Sequence, residues 1–66
     1  MSIGSAIQLK RNQLGISQDK FAELIGVARQ TVSSWENDKF LPDTVNIIEM
    51  SKIFNCSIDD LLKNPT

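Results

Sequence analysis

Residues 18–37 read QDKFAELIGVARQTVSSWEN, and this segment says most about how the chain folds. Two short helical stretches are separated by only a few residues around Gly26, so they cannot form a long hairpin and must cross steeply. A steep crossing brings two backbones together, which favours small or branched apolar side chains at the contact. Ala22 stands in the first stretch, Gly26 in the turn and Val32 in the second stretch. The segment therefore predicts two helices, the second projecting outward from the first.

The second helix of this pair, predicted over residues 28–37, has two different faces. Val32 and Trp35 lie three residues apart and are expected to point inward. The other face carries polar residues that are not the usual choice for stabilising an exposed helix: Arg29, Gln30, Ser33 and Ser34. Arginine matches the O6/N7 edge of guanine and glutamine the N6/N7 edge of adenine, each through two hydrogen bonds. Because recognition helices reach base edges with their N-terminal residues, Arg29 and Gln30 are the first candidates for reading DNA.

The segment before this pair predicts one more helix. Ile3, Ile7 and Leu14 follow helical spacing, and Gly15 stands where a helix C-terminus favours a left-handed residue. Ser17 is a suitable N-cap for the helix over residues 18–25.

Two further helices follow Pro42, which no earlier helix can continue through. Asp43 is the predicted N-cap of a helix over residues 44–54, and Ser57 that of a short helix over residues 58–63. In the longer helix the expected inward positions are mostly Ile47, Ile48, Met50, Ser51 and Phe54. Residues 1–2 and 64–66 are predicted to be loose ends. The predicted fold class is all-α, with five short helices.

Composition excludes several classes of function. The chain has 66 residues, enough for one small domain, with one cysteine and no histidine. These counts exclude an internal disulfide, a Cys/His zinc site and a nucleophile that depends on histidine. We therefore expect no enzyme, no metal, no cofactor and no small-molecule ligand. No apolar run approaches the ~20 residues of a membrane span, and the N-terminal residues show no signal-peptide pattern, so we expect a cytoplasmic domain.

Net charge does not decide between the remaining classes. It is −1, whereas DNA-binding domains often have a clearly basic balance. Residues 1–42 hold five basic and four acidic residues, and residues 43–66 hold two basic and four acidic residues. The asymmetry is mild.

The chain resembles the Cro/repressor-type helix-turn-helix regulators of bacteria and phages, the Xre family. Residues 14–43, LGISQDKFAELIGVARQTVSSWENDKFLPD, are similar to the core signature of that family, and residues 53–62, IFNCSIDDLL, to its closing helices. The positions in register are Gln18, Ala22, Gly26, Val32, Trp35, Glu36, Asn37, Lys39 and Pro42. The resemblance implies a lambda-repressor-like DNA-binding domain over residues 1–66, with the helix-turn-helix motif at residues 18–37. It also implies a sequence-specific regulator of transcription, a repressor that binds double-stranded DNA as a homodimer on a pseudo-palindromic operator.

Family roles carry over to individual positions. The residues that match base-reading positions are Arg29, Gln30, Ser34 and Thr31. Ala28 and Thr31 match positions that touch a thymine methyl group or the backbone. Those expected to contact phosphates are Gln18, Asn37, Lys39, Lys10 and Ala28, although Lys10 fits a plain surface position equally well. Arg11 and Glu36 resemble a structural ion pair that links the first helix to the third.

The chain departs from the family pattern at three positions. Ala28 replaces the usual serine or threonine N-cap of the third helix, a change worth roughly 1 kcal/mol. Asp38 replaces a glycine, and aspartate tolerates a left-handed backbone less well. Leu9 stands where a polar residue is common.

Other readings stay open. A helix-turn-helix fold can also serve as a protein-interaction module, antitoxin-like or with a phage regulatory partner, and the net charge favours this reading. Leu61 and Leu62 are candidates for a dimer surface. We expect Trp35 and Cys56 to pack as apolar side chains and Leu9, Phe40 and Leu41 to be ordinary exposed apolar residues.

Overall fold

The computed structural model describes residues 2–62 and confirms the all-α class. Within that range the chain forms five helices and no strand: α1 (Ile3–Gln13), α2 (Gln18–Ile25), α3 (Arg29–Glu36), α4 (Thr44–Phe54) and α5 (Ile58–Leu62). The bounds predicted for α2 and α4 are confirmed. Helix α3 is one residue shorter at each end than predicted, and Lys63, predicted to end α5, lies outside the described residues.

Local capping chemistry explains where the helices begin and end. The side chains of Ser17 and Asp43 accept hydrogen bonds from the backbone N–H groups of the first turns of α2 and α4. Gly26 ends α2 in the left-handed region, with φ of 89°, and its N–H donates to the Ala22 carbonyl oxygen. The turn between α2 and α3 therefore needs glycine for its backbone conformation.

All five helices contribute to one apolar core. Its buried members are Ile7, Phe21, Ala22, Val32, Trp35, Met50 and Leu61. The rings of Phe21 and Phe54 stack with their centroids 5.0 Å apart, which joins α2 to α4. Cys56 is half-buried and packs against this core, as expected. The core holds the inner face of α3 and leaves its polar face outside.

Several predictions of burial were wrong. Ile48 is exposed and Ile53 packs against the core instead. Leu14 follows α1 as its C-cap and is exposed, because the helix ends one residue before it. Leu61 is fully buried, which removes it as a dimer contact, whereas Leu62 is exposed. The burial of the residues on α4 and α5 is set by how these two helices lie on the core, which local spacing does not specify.

Ser2 is not a loose end, contrary to the prediction. Its side chain is the N-cap of α1 and accepts a hydrogen bond from the Ser5 N–H at 3.1 Å. The Ser2 hydroxyl also donates to Asp38, 36 residues later in the chain. Short sequence windows do not reveal such a contact.

No helix among residues 2–62 combines the length and the apolar character that a membrane crossing requires.

Candidate nucleic-acid interface

Helix α3 presents a buried face and an exposed polar face. Val32 and Trp35 are 0% and 3% exposed, while Arg29 and Gln30 are exposed in its first turn. Thr31, Ser33 and Ser34 are half-buried beside them. The prediction that Val32 and Trp35 belong to the core is confirmed. The polar residues that the sequence analysis placed on the outer face of α3 lie along one helix, so a single groove of a DNA duplex can accommodate them.

The start of α3 has no side-chain cap. Ala28 occupies the N-cap position with an extended backbone. Its carbonyl oxygen accepts from the Thr31 N–H at 3.0 Å, but its side chain makes no capping hydrogen bond. The N–H groups that open a helix carry partial positive charge and suit an anion such as a phosphate. The end of α3 that carries Arg29 and Gln30 thus has no side-chain acceptor from residue 28.

Asp19 holds Arg29 from the neighbouring helix. The Nε atom of Arg29 lies 3.3 Å from Oδ1 of Asp19, and both side chains are more than half exposed. An exposed pair of this kind adds little stability. Its effect is to favour one orientation of the guanidinium, with Nε toward Asp19. This pair was not predicted from the sequence, because its geometry depends on the crossing of α2 and α3.

A buried ion pair holds the other end of α3. Arg11 donates from Nε to Oε2 of Glu36 at 2.7 Å and from Nη2 to Oε1 at 3.1 Å. Its Nη1 donates to the Ile16 carbonyl oxygen at 2.8 Å. Gln18 at the start of α2 donates from Nε2 to Oε1 of Glu36 at 3.0 Å. The carboxylate of Glu36 therefore joins α1, α2 and α3, and fixes α3 against the two other helices.

The loop after α3 is closed by backbone and side-chain hydrogen bonds. The Lys39 N–H donates to the Ser34 carbonyl oxygen at 2.9 Å, and Asn37 donates from Nδ2 to Oγ of Ser33 at 3.3 Å. Asn37 and Lys39 are both exposed. The loop thus presents these two predicted phosphate contacts directly beside α3.

Asp38 takes the left-handed backbone that glycine favours, with φ of 59°. Its carboxylate accepts from the Ser2 hydroxyl at 2.6 Å and from the Gly4 N–H at 3.1 Å. Asp38 therefore caps the N-terminus of α1, and these hydrogen bonds offset the backbone strain. The sequence marks this position as a departure from the family pattern but does not reveal its partners.

Phe40 closes one side of a cleft on the outer side of α3. The cleft has a volume of about 210 Å³ and is lined by Gln30, Thr31, Ser34, Trp35 and Phe40. Phe40 is 68% exposed, as expected for a surface residue, but it faces the candidate base-reading side chains. Lys10 is half-buried in the last turn of α1.

The helix-turn-helix family model matches residues 7–61. The chain belongs to this helix-turn-helix family. Among curated relatives it is 34% identical over 61 residues to repressor protein C2 of Salmonella phage P22, covering 92% of this chain. It is 32% identical over 62 residues to the transcriptional regulator ImmR of Bacillus subtilis, covering 94% of this chain. It is also 32% identical over 62 residues to the transcriptional activator BcrR of Enterococcus faecalis.

Solved structures agree with this assignment. The crystal structure of the P22 c2 repressor with synthetic operator 9T matches with a TM-score of 0.91 and 32% identity, covering 98% of each chain. The solution structure of the DNA-binding domain of the same repressor matches with a TM-score of 0.87 and 28% identity, covering 100% of this chain and 92% of that one.

This helix-turn-helix chain spans 28% of repressor C2, 49% of ImmR and 30% of BcrR. The similarity therefore concerns one part of each of these relatives.

Proposed function

We propose that this helix-turn-helix chain binds double-stranded DNA in a sequence-specific manner and represses transcription. The observation that carries the proposal is its likeness to the P22 c2 repressor bound to an operator, at a TM-score of 0.91 over 98% of this chain. In this account residues 1–66 act as one DNA-binding domain, and α3 of the motif at residues 18–37 enters the major groove. Such a regulator works in the cytoplasm, where the DNA is.

The proposed DNA contacts are of two kinds, to bases and to phosphates. The proposed base contacts are Arg29, Gln30, Thr31 and Ser34. The proposed phosphate contacts are Gln18, Ala28, Asn37, Lys39 and Lys10, which fix the position of the helix without reading sequence. The hydrogen bond from Gln18 to Glu36 supports a double role for Gln18, since the same side chain holds α3 in place.

A homodimer is the second part of the proposal. Two-fold symmetric regulators place two recognition helices in major grooves about one helical turn apart. Exposed apolar residues near the start of α4 support self-association: Leu41 is 76% exposed, and Val45 is 69% exposed. Val45 and Ile48 are three residues apart on α4 and so share a face.

Selection from a random pool of duplexes tests this function. The wild type should enrich a two-fold symmetric motif. Arg29→Ala and Gln30→Ala should each lose preference at one position per half-site, since one bidentate side chain–base pair is worth about 1–3 kcal/mol. Lys52→Ala is the matched control, because Lys52 is an exposed cation on α4 rather than on α3. Enrichment of no sequence by the wild type would contradict the proposal.

A protein-interaction module is the alternative, and the net charge of −1 favours it. The salt dependence of binding distinguishes the two functions. Because DNA binding releases counterions, the logarithm of its binding constant falls linearly with the logarithm of the salt concentration. We expect the wild type to show this linear decrease. If Lys39 contacts a phosphate, the slope for Lys39→Ala should be less steep by about one unit. A salt-independent complex with a protein, and no retention of DNA, would favour the module.

A further inference from the structure

The cleft beside α3 is lined by two aromatic and three polar residues. Trp35 is 3% exposed and belongs to the core, so this side of the cleft is rigid. Phe40 is the second aromatic residue of the lining, and Gln30 and Ser34 supply polar atoms nearby. Apolar side chains bordered by a few polar groups are typical of a binding site that selects its occupant by shape.

Helix geometry and one backbone hydrogen bond fix the lining of the cleft. Gln30 and Ser34 are four residues apart on α3, as are Thr31 and Trp35, so the cleft follows two adjacent rows of the helix. The Lys39 N–H donates to the Ser34 carbonyl oxygen at 2.9 Å. This bond holds the loop against α3 one residue before Phe40. The ring of Phe40 is therefore presented beside Ser34 rather than on a free loop.

The position of the cleft points to one chemical group. Its rim consists of side chains that face the major groove in the proposed complex. The C5-methyl group of thymine is the apolar group that a base pair presents there, and phenylalanine is among the side chains that contact it. The volume of about 210 Å³ is several times the ~30 Å³ that a water molecule occupies in the liquid, which leaves room for the methyl group and the ring edge that carries it.

We propose that Phe40, with Trp35 behind it, forms a thymine-methyl site, and that Phe40 is a specificity-determining residue outside the recognition helix. This inference rests on the proposed DNA-binding function. It assigns Phe40 a role that the sequence did not indicate, since an exposed phenylalanine in a loop is usually unremarkable. It also predicts that each half-site contains a thymine whose methyl group matters for affinity.

Replacing thymine by uracil in the DNA tests the site directly, because only the methyl group is removed. The probe is the duplex enriched by the wild type, with each thymine replaced in turn by deoxyuridine. We expect one replacement per half-site to weaken wild-type binding about fourfold, the value of burying one methyl-sized apolar group. Phe40→Ala should bind the thymine and uracil duplexes with equal affinity at that position.

Leu24→Ala is the matched control. Leu24 is an exposed apolar residue of α2 and does not line the cleft, so this variant should keep the fourfold preference. Urea unfolding of Phe40→Ala checks that the variant is folded, as expected for a residue that is 68% exposed.

Three results would overturn the inference. If no thymine-to-uracil change affects wild-type affinity, the cleft holds no methyl group, although DNA binding itself stands. If Phe40→Ala keeps the preference for thymine over uracil, the methyl contact lies elsewhere on the protein. If the wild type binds no duplex, both the inference and the proposed function fail.

Discussion

At the scale of single residues, the carboxylate of Glu36 links three helices. It accepts two hydrogen bonds from Arg11 of α1 and one from Gln18 of α2. Arg11 and Glu36 are each 8% exposed, and no buried side-chain nitrogen or oxygen atom among the described residues lacks a partner. A fully satisfied buried pair contributes modest net stability, but removing one partner leaves a buried charge alone.

Glu36→Ala should therefore destabilise the protein by about 3–5 kcal/mol, because the Arg11 guanidinium stays buried without its counter-charge. That is a large share of the 5–15 kcal/mol by which domains are typically stable. Urea unfolding followed by circular dichroism measures the difference. Glu49→Ala is the matched control, since Glu49 forms an exposed pair with Lys52 and its loss should cost at most about 0.5 kcal/mol. Equal losses in the two variants would contradict the account.

Residue-scale contacts differ in how far the sequence predicts them. The family resemblance implied a pair between Arg11 and Glu36, and the structure shows these two side chains in contact. The contacts of Asp19 with Arg29 and of Asp38 with Ser2 were not predicted. Both depend on how separate elements approach one another, and neither follows a local spacing rule.

At the scale of elements, capping explains the helix bounds and also the weak start of α3. Ser17 caps α2, whereas Ala28 gives α3 no side-chain cap. Spacing and caps alone predicted the bounds of α2 and α4. They did not predict the burial of Ile48 and Ile53, because both lie on α4 and only its packing against the core distinguishes them.

Ala28→Ser should stabilise the protein by about 1 kcal/mol, because its hydroxyl can accept from the first-turn N–H groups of α3. Ser17→Ala is the matched opposite change and should cost about the same amount, through loss of the hydrogen bond from the Lys20 N–H. Thermal and urea unfolding measure both. The account would be contradicted if Ala28→Ser lowered stability.

The packing of α1 against the end of α3 depends on Gly4. A Cβ atom at this position would lie 2.9 Å from the Glu36 carbonyl oxygen and closer still to that of Trp35. Both oxygens belong to the backbone of α3, so they cannot move without shifting the helix. Gly4 thus allows a close approach between the first helix and the one proposed to enter DNA.

Gly4→Ala should destabilise the protein by about 1–3 kcal/mol through overpacking. Helix propensity alone predicts the opposite effect, an increase in stability of up to about 1 kcal/mol when alanine replaces glycine. Gln8→Ala, an exposed position of α1, is the control and should change stability by at most about 0.5 kcal/mol. A stabilised Gly4→Ala variant in urea unfolding would show that α1 and α3 are less closely packed than described here.

At the scale of the whole molecule, the five helices serve to position one exposed face. Core packing buries Val32 and Trp35, the Arg11–Glu36 pair fixes the end of α3, and the following loop places Lys39 and Phe40 beside it. The helix-turn-helix pattern predicted the candidate face of α3 because the four residues first proposed as base contacts lie on one helix. The cleft was not predicted, since it forms only when the loop folds back on α3.

The central claim is that Arg29 and Gln30 read bases, and a cycle of side-chain and base changes tests it most directly. Wild type, Arg29→Ala, Gln30→Ala and the control Lys52→Ala are each titrated with the selected duplex and with duplexes changed at single base pairs. We predict that Arg29 and Gln30 each couple to one base pair per half-site by about 1–3 kcal/mol, and that Lys52 couples to none. Equal weakening on every duplex, with no coupling at any base pair, would contradict base reading by these residues.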